Sequence, residues 1–374
     1  MKKKLGLIVN PIAGMGGRVA LKGSDGKEMI RKAIELGSTP ISPKRTVEAL
    51  KRLMMIKDNF ELITYPYDMG EEEAKKSGFN PTVIGSITKG ETTSSDTRKA
   101  AKEMAALKLD LLLFAGGDGT ARDVYDAVAE TIPVLGIPAG VKIHSAAYAI
   151  NPLMAGELAV MHLKSFDSLL CEAEVMDIDE KALREENRVS SKLYGYLKIP
   201  CERRMTQSPK EASCEGEQEA TMMQAIAERI VDDMEEDWLY IIGPGTTTRA
   251  IMVRLGLPNT LLGVDVVERK KIVANDVNEA QLISIIDGKK AKIIITPIGG
   301  QGYIFGRGNQ QISPEIIMRV GSDNIILIAT PTKIYSLMLK PLLVDTGDEN
   351  VDRLLGGYRK VITGYREETV CKVL

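Results

Sequence analysis

The stretch Phe114-Ala-Gly-Gly-Asp-Gly-Thr-Ala-Arg-Asp123 decides the reading of this chain. It follows the apolar run Leu111–Phe114 and precedes Arg122–Ala129, whose pattern is helical. A strand therefore ends in a turn built from Gly116, Gly117, Asp118 and Gly119, and a helix is expected to begin at Thr120. Glycine permits positive φ and lets a ligand approach the backbone closely. The start of a helix supplies unpaired N–H groups and a partial positive charge, which together attract phosphate. Asp118 sits among those donors, where a carboxylate can orient a metal ion or accept a proton from a hydroxyl. Glycines for phosphate plus one acid equip a site for phosphoryl transfer.

The first 150 residues alternate strand and helix around that turn. Leu5–Val9, Phe60–Thr64, Pro81–Ile84, Asp110–Phe114 and Val134–Ile137 read as strands. Ser42-Pro43 reads as a cap and first-turn proline opening a helix to about Met55, and Ser95 or Asp96 caps another running to Leu107. Such alternation predicts a parallel sheet covered by helices on both faces. Ligands of such sheets bind beyond the carboxyl ends of the strands, so Asn10, Asp118 and Ala139, which all follow strand ends, are expected to line one crevice.

Four further stretches carry a likeness. They are Asn10-Pro-Ile-Ala-Gly14-Met-Gly16-Gly17-Arg18, Ile137-Pro-Ala-Gly140-Val-Lys142-Ile-His144-Ser145, Gly243-Pro-Gly245-Thr246-Thr-Thr248, and Thr296-Pro-Ile-Gly299-Gly300-Gln-Gly302. With Gly-Gly-Asp-Gly-Thr, which resembles the motif shared by NAD, diacylglycerol and sphingosine kinases and phosphofructokinases, they make the chain resemble the ATP- or polyphosphate-dependent NAD kinases that include AcoX-type proteins. The resemblance runs from about residue 4 to the C-terminus. It implies an N-terminal three-layer α/β domain with a parallel sheet, of the NAD kinase and diacylglycerol kinase type, and a second domain. It also implies transfer of a phosphoryl group from ATP or polyphosphate to the adenosine ribose 2′-hydroxyl of NAD, with Mg²⁺ or Mn²⁺.

On that reading Asp118 is the catalytic carboxylate, with Mg²⁺ as its possible partner. Gly116, Gly117, Gly119 and Thr120 hold phosphates through backbone N–H groups, and Asn10 with Gly14, Gly16 and Gly17 completes the nucleotide site. Lys142 neutralises phosphate charge if it faces the crevice. Gly243, Gly245, Thr246, Gly299 and Gly300 close the site from the second domain. Arg18, Arg307 and Asn309 are weaker candidates, equally readable as solvated side chains. Asp123 and Asp126 read as a solvated helix face, and His162 as packing. With only two histidines, His144 and His162, a histidine-based triad or zinc cluster is almost excluded. A turn of glycines does not specify the acceptor. A kinase of a lipid, sugar or nucleoside hydroxyl, or a non-catalytic nucleotide sensor, therefore remains open.

Beyond Asn151 the texture changes. Leu169–Ile178 and Val189–Ile199 read as strands flanking an acidic run, residues 205–217 as a mobile loop, and Glu219–Met234 as a helix. Alternation then returns to about Ala329. The expected domains are 1–150, a mixed α/β domain over 151–345, and a segment 346–374 that can return to the first domain. NAD kinases proper have an all-β second domain, and the helices here depart from that pattern.

Composition sets outer limits. The 49 basic and 51 acidic residues nearly cancel and form no basic stripe, so nucleic acid is not an expected partner. Cys171, Cys201, Cys214 and Cys371 are scattered without a Cys-x-x-Cys pair, so neither a disulfide framework nor a zinc site is expected. No apolar run suffices to span a bilayer, and Leu5–Val9 is too short for a signal peptide. A cytoplasmic homo-oligomer acting on small-molecule nucleotides, without a membrane, is expected.

Overall fold

The computed structural model describes residues 2–21, 27–165, 168–178, 191–202, 205–207, 216–337 and 340–374. The chain forms two compact units. The first comprises Met1–Met15, Gly23–Ile34 and Thr39–Pro209, and the second Gly16–Lys22, Glu35–Ser38 and Lys210–Leu374. The boundary expected near residue 150 thus falls after Pro209, because the strands that follow residue 169 pack on the first core.

In the first unit β1 (Lys3–Val9), β2 (Phe60–Thr64), β3 (Thr82–Val83), β4 (Leu111–Gly116) and β5 (Val134–Pro138) form one parallel sheet in the order β3-β2-β1-β4-β5. The strands are nearly continuous apolar runs because both faces are covered. Leu111, Leu113 and Ala115 face Leu50 and Leu53 of α2 (Ser42–Leu53) and Leu158 and Ala159 of α6 (Pro152–Lys164). Leu112 and Phe114 turn the other way, onto Ala101 and Met104 of α4 (Ser94–Ala106) and Ala121 and Val124 of α5 (Asp118–Val128). This is the period-2 alternation of a strand between two helical layers. Two short helices, α1 (Lys27–Glu35) and α3 (Glu71–Lys76), complete the early part of the chain. The order of strands reverses between β1 and β4, where such sheets open a crevice.

The expected caps of two helices are not the observed ones. Thr93, not Ser95 or Asp96, caps α4, and Asp96 returns the bond to the Thr93 N–H as a capping box. Ser42 is the first residue inside α2 rather than its cap, and its buried hydroxyl has no partner among the described residues. The antiparallel pair β6 (Leu170–Ile178) and β7 (Ser191–Pro200) lays Ala173, Val175, Leu197 and Ile199 on the α4–α5 face. Cys171 and Cys201 at the open end of this pair are joined as a disulfide, contrary to the sequence expectation. The hairpin brings together two cysteines whose 30-residue spacing carries no motif. The acidic run between the strands and most of 205–217 lie outside the described residues.

The second unit is again a sheet between helical layers. β8 (Leu239–Ile242), β11 (Ala291–Ile295), β13 (Ile325–Ile328) and β15 (Gly357–Ile362) run parallel as neighbours. β9 (Asp265–Glu268), β10 (Lys271–Ala274) and β16 (Glu368–Val373) add antiparallel edges, giving β10-β9-β8-β11-β13-β15-β16. One face packs on α7 (Glu217–Asp232) and α8 (Thr246–Leu255). The other packs on α9 (Glu279–Ile286), α10 (Pro314–Val320) and α12 (Glu349–Leu355). A short helix, α11 (Pro331–Ser336), and the parallel pair β12 (Tyr303–Phe305) and β14 (Leu343–Val344) lie between these elements. Residues 346–374, left open to return to the first domain, instead supply α12, β15 and β16 of this unit.

Candidate active site

The described site of the first unit lies at the carboxyl ends of β1, β4 and β5. Asn10 follows β1, and its amide nitrogen donates to Thr120 Oγ1 at 3.0 Å while its oxygen accepts from the Ile12 N–H at 3.3 Å. Asn10 therefore ties the turn after β1 to the first turn of α5. The turns after β4 and β5 touch backbone to backbone: a Cβ on Gly140 would lie 2.7 Å from Gly117 Cα. Gly14 has φ +84°, and a Cβ there would lie 2.2 Å from the carbonyl oxygen of Ala139. These glycines are needed for turn-on-turn packing whether or not a ligand is present.

α5 begins at Asp118, two residues before the expected Thr120. Asp118 is 8% exposed and its carboxylate is fully engaged. Oδ1 accepts from the Ser145 N–H at 2.9 Å and the Ser145 hydroxyl at 2.6 Å. Oδ2 accepts from the His144 N–H at 2.8 Å and faces His144 Nδ1 at 3.3 Å. A carboxylate offers about four acceptor positions; three accept N–H or O–H donors here, and the fourth faces the His144 ring. Asp118 thus clamps the loop after β5 onto the start of α5. Tyr148 adds a second clamp, its hydroxyl donating to the Gly117 carbonyl at 2.6 Å. His144 and Ser145 belong to the stretch that carried the family likeness, but their bond to Asp118 joins residues 26 and 27 apart and has no local signal.

Arg45 is the cation that the sequence reading missed. It is 6% exposed, and its Nε donates to the carbonyl of Pro138, the last residue of β5. Its signal was spacing, since Arg45 lies one turn before Ala49 on the buried face of α2. Lys142 is half-buried on the loop after β5. Asp123 is not on a solvated face: burial pushes its carboxyl up to about 6, although the Arg98 guanidinium at 2.5 Å pulls it down. Asp126 is exposed and accepts from the Tyr194 hydroxyl. His162 is structural as expected, its ring placed between Ser168 Oγ and the Asp110 carbonyl.

The sequence-predicted residues divide between the units. Asn10, Gly14, Gly116, Gly117, Asp118, Gly119, Thr120 and Lys142 belong to the first, and Gly16, Gly17, Gly243, Gly245, Thr246, Gly299 and Gly300 to the second. In the second unit Gly243 and Gly245 sit against Ile295 and Thr296, and Gly17 against Gln310. Arg18 pairs at 3.8 Å with Glu279. Arg307 forms a buried ion pair with Asp345 at 2.8 Å. Asn309 bonds the Ile304 carbonyl and the Gly306 N–H. Arg307 and Asn309 therefore serve the fold of this loop.

Among the described residues no group of three or more His, Cys, Asp or Glu can hold a metal ion. Asp118 oxygens that already accept from three donors, with no second ligand grouped beside them among the described residues, do not fit a protein-held Mg²⁺. The cation of a phosphoryl transfer would have to enter with the phosphates of its donor, the usual state of Mg²⁺.

A crevice at the switch point of a parallel sheet, floored by glycine turns and a helix start, is a geometry in which such α/β folds can take phosphate. Two family models agree: the ATP-NAD kinase N-terminal domain matches residues 5–160 and the ATP-NAD kinase C-terminal domain matches 235–373. The chain belongs to the ATP-NAD kinase family.

No curated protein matches the chain. Among solved structures, a diacylglycerol kinase from Bacillus anthracis str. Sterne is 16% identical over 48% of this chain and 46% of that one, with a TM-score of 0.24. The chain thus spans under half the length of that structure. A protein provisionally described as a UDP-N-acetylglucosamine 2-epimerase from Listeria monocytogenes is 11% identical over 95% and 86%, with a TM-score of 0.26. Likenesses this low carry no argument about function. No helix among the described residues is long and apolar enough to cross a membrane.

Proposed function

We propose that this kinase phosphorylates NAD at the adenosine ribose 2′-hydroxyl, with ATP or polyphosphate as donor and Mg²⁺ or Mn²⁺ on the donor phosphates. The observation that carries the reading is the junction of Asn10, Gly116–Thr120 and the His144–Ser145 loop around one carboxylate, within a chain matched by NAD kinase models at both ends. The first N–H groups of α5, from Asp118, Gly119 and Thr120, have no partner within the helix and are the phosphate donors of the site. Gly116, Gly117 and Gly14 let the turns close on one another, so that the start of α5 lies beside the loops after β1 and β5, and Lys142 adds charge. Arg45 brings a buried guanidinium to the end of β5.

Asp118 orients the acceptor hydroxyl and receives its proton. Of its four contacts, that to His144 Nδ1 is the longest at 3.3 Å, beyond the usual range for such a bond. The acceptor hydroxyl enters at Oδ2 in place of this ring, while the Ser145 and His144 N–H bonds hold the carboxylate in place. Such a site works by placement and charge neutralisation, as phosphoryl transfer requires. The test is incubation with NAD, Mg²⁺ and either ATP or polyphosphate, with NADP read by an NADP-specific dehydrogenase. Phosphorylation of a lipid, sugar or nucleoside without any NADP would overturn the assignment of NAD. Binding of NAD with no turnover of any acceptor would leave a nucleotide sensor instead.

A further inference from the structure

In the second unit a threonine follows each of three neighbouring parallel strands. Thr247 lies in the first turn of α8 after β8, Thr296 directly follows β11, and Thr330 follows β13 and caps α11. All three are buried. The Lys333 ammonium donates to Thr247 Oγ1 at 3.0 Å and to Thr296 Oγ1 at 3.2 Å, so it stands at the amino end of α8, a helix of 10 residues. Thr330 fixes this arrangement from behind. Its hydroxyl oxygen accepts from the Lys333 N–H at 3.3 Å, and the hydroxyl donates to Glu219 Oε1 at 2.6 Å.

Glu219 is the independent sign of a ligand. It is 8% exposed, and its second oxygen, Oε2, has no hydrogen-bond partner among the described residues. A carboxyl oxygen shut away from water without a donor is costly, and native structures rarely leave one so. The missing partner is therefore a hydrogen-bond donor. Bare phosphate is rich in acceptors and suits Lys333 and the first N–H groups of α8, but it offers Glu219 little. A ribose phosphate supplies both an anion and a hydroxyl donor. Carboxylates that take a ribose hydroxyl beyond the strand ends are a recurrent device of such sheets.

We propose that this crest of the second unit binds the phosphorylated sugar of a nucleotide, with phosphate on Lys333, Thr247 and the start of α8 and a sugar hydroxyl on Glu219 Oε2. Neither Lys333 nor Glu219 stands in a glycine motif. The inference deepens the nucleotide-using reading above and rests on it for the choice of ligands.

The experiment is isothermal titration of the whole protein with ADP, NAD and inorganic tripolyphosphate, for wild type, Lys333→Gln and Glu219→Gln. Each variant is first shown to unfold at the wild-type urea concentration. A charge-assisted bond lost at Lys333 should weaken ADP or NAD about tenfold or more. Glu219→Gln should weaken the same nucleotide several-fold, roughly the worth of one such bond, and leave tripolyphosphate unchanged. If Lys333→Gln does not fold, Lys333→Arg keeps the charge and Thr247→Val removes one of its partners, and only the second should lose affinity. Folded variants that bind all three ligands within twofold of wild type overturn the proposal. Equal effects of Glu219→Gln on tripolyphosphate and nucleotides overturn the sugar contact. Titration reads binding without turnover, so a failure to form NADP does not affect this test. NADP formation in a protein whose affinities ignore Lys333 and Glu219 would remove this inference alone.

Discussion

Replacing Asp118 by Asn tests both the clamp and the chemistry, and the structure sets the size of each effect. The carboxylate accepts from the Ser145 N–H, the Ser145 hydroxyl and the His144 N–H, at 2.9, 2.6 and 2.8 Å. Asn keeps one acceptor oxygen and turns two donors the other way. If the oxygen faces Ser145, the His144 N–H meets an amide N–H. If it faces His144, the serine hydroxyl can rotate to accept, but the Ser145 N–H is stranded. Either orientation leaves one backbone N–H unpaired at a site only 8% exposed. Losing a bond to a charged acceptor and stranding its donor costs about 2–4 kcal/mol. Loss of negative charge at the start of α5 adds a few tenths to about 1 kcal/mol.

Urea unfolding followed by circular dichroism should therefore place the first unit's transition roughly 1 M lower, taking a slope of about 2–3 kcal/mol per molar. Ser145→Ala is the companion: it keeps the Ser145 N–H bond but also strands the Met176 N–H that the hydroxyl accepts at 2.9 Å. It should cost about 1–3 kcal/mol. At saturating NAD and donor, and corrected for the folded fraction, Asp118→Asn should turn over about 10²–10⁴-fold more slowly, as expected when a general base is lost. An Asp118→Asn protein with the wild-type urea midpoint would refute the clamp. A folded variant within a few-fold of wild-type turnover would remove Asp118 from catalysis.

Burial pushes the Glu73 carboxyl from 4.5 up to about 7, so between these values the folded chain holds a proton that the unfolded chain has released. Stability from this group should fall as pH rises from about 4.5 to 7 and level off above, and Glu73→Gln should flatten that slope in urea midpoints taken across the window. An unchanged slope in the variant would reject the assignment. Arg307→Ala removes the ion-pair partner of Asp345, 5% exposed, and should destabilise the second unit by about 3–5 kcal/mol in the same assay; a shift below about 1 kcal/mol would show the pair to be dispensable. Gly14→Ala forces a side chain into left-handed backbone against the Ala139 carbonyl and should lower stability by more than the roughly 1–2 kcal/mol of the backbone term alone, read as a fall in melting temperature. Turnover should vanish in excess chelator and return with Mg²⁺ or Mn²⁺, because the donor's phosphate charge needs neutralising; full activity in chelator would reject this.

The strands and turns of the first unit were legible because their causes are local. Leu111–Phe114 followed by glycines has one reasonable reading, and β1, β2, β4 and β5 fall within two residues of their expected places. Causes that act across the chain left no such mark. Gly117 and Gly140 read as phosphate glycines, yet each is required by the other's backbone, so a glycine motif alone cannot separate ligand approach from turn packing. Asp118 read as a free acid because its partners, His144 and Ser145, lie in another loop. Arg307 read as an exposed contact because Asp345, the partner that makes its burial tolerable, is 38 residues away (345 − 307). Arg45 shows what would have helped: a charged residue one turn from Ala49 on an apolar helix face must find a partner inside, and at the mouth of a parallel sheet that partner is a strand-end carbonyl. The same logic singles out Glu219, since a buried carboxyl oxygen with no donor among the described residues is one that something arriving from outside can satisfy.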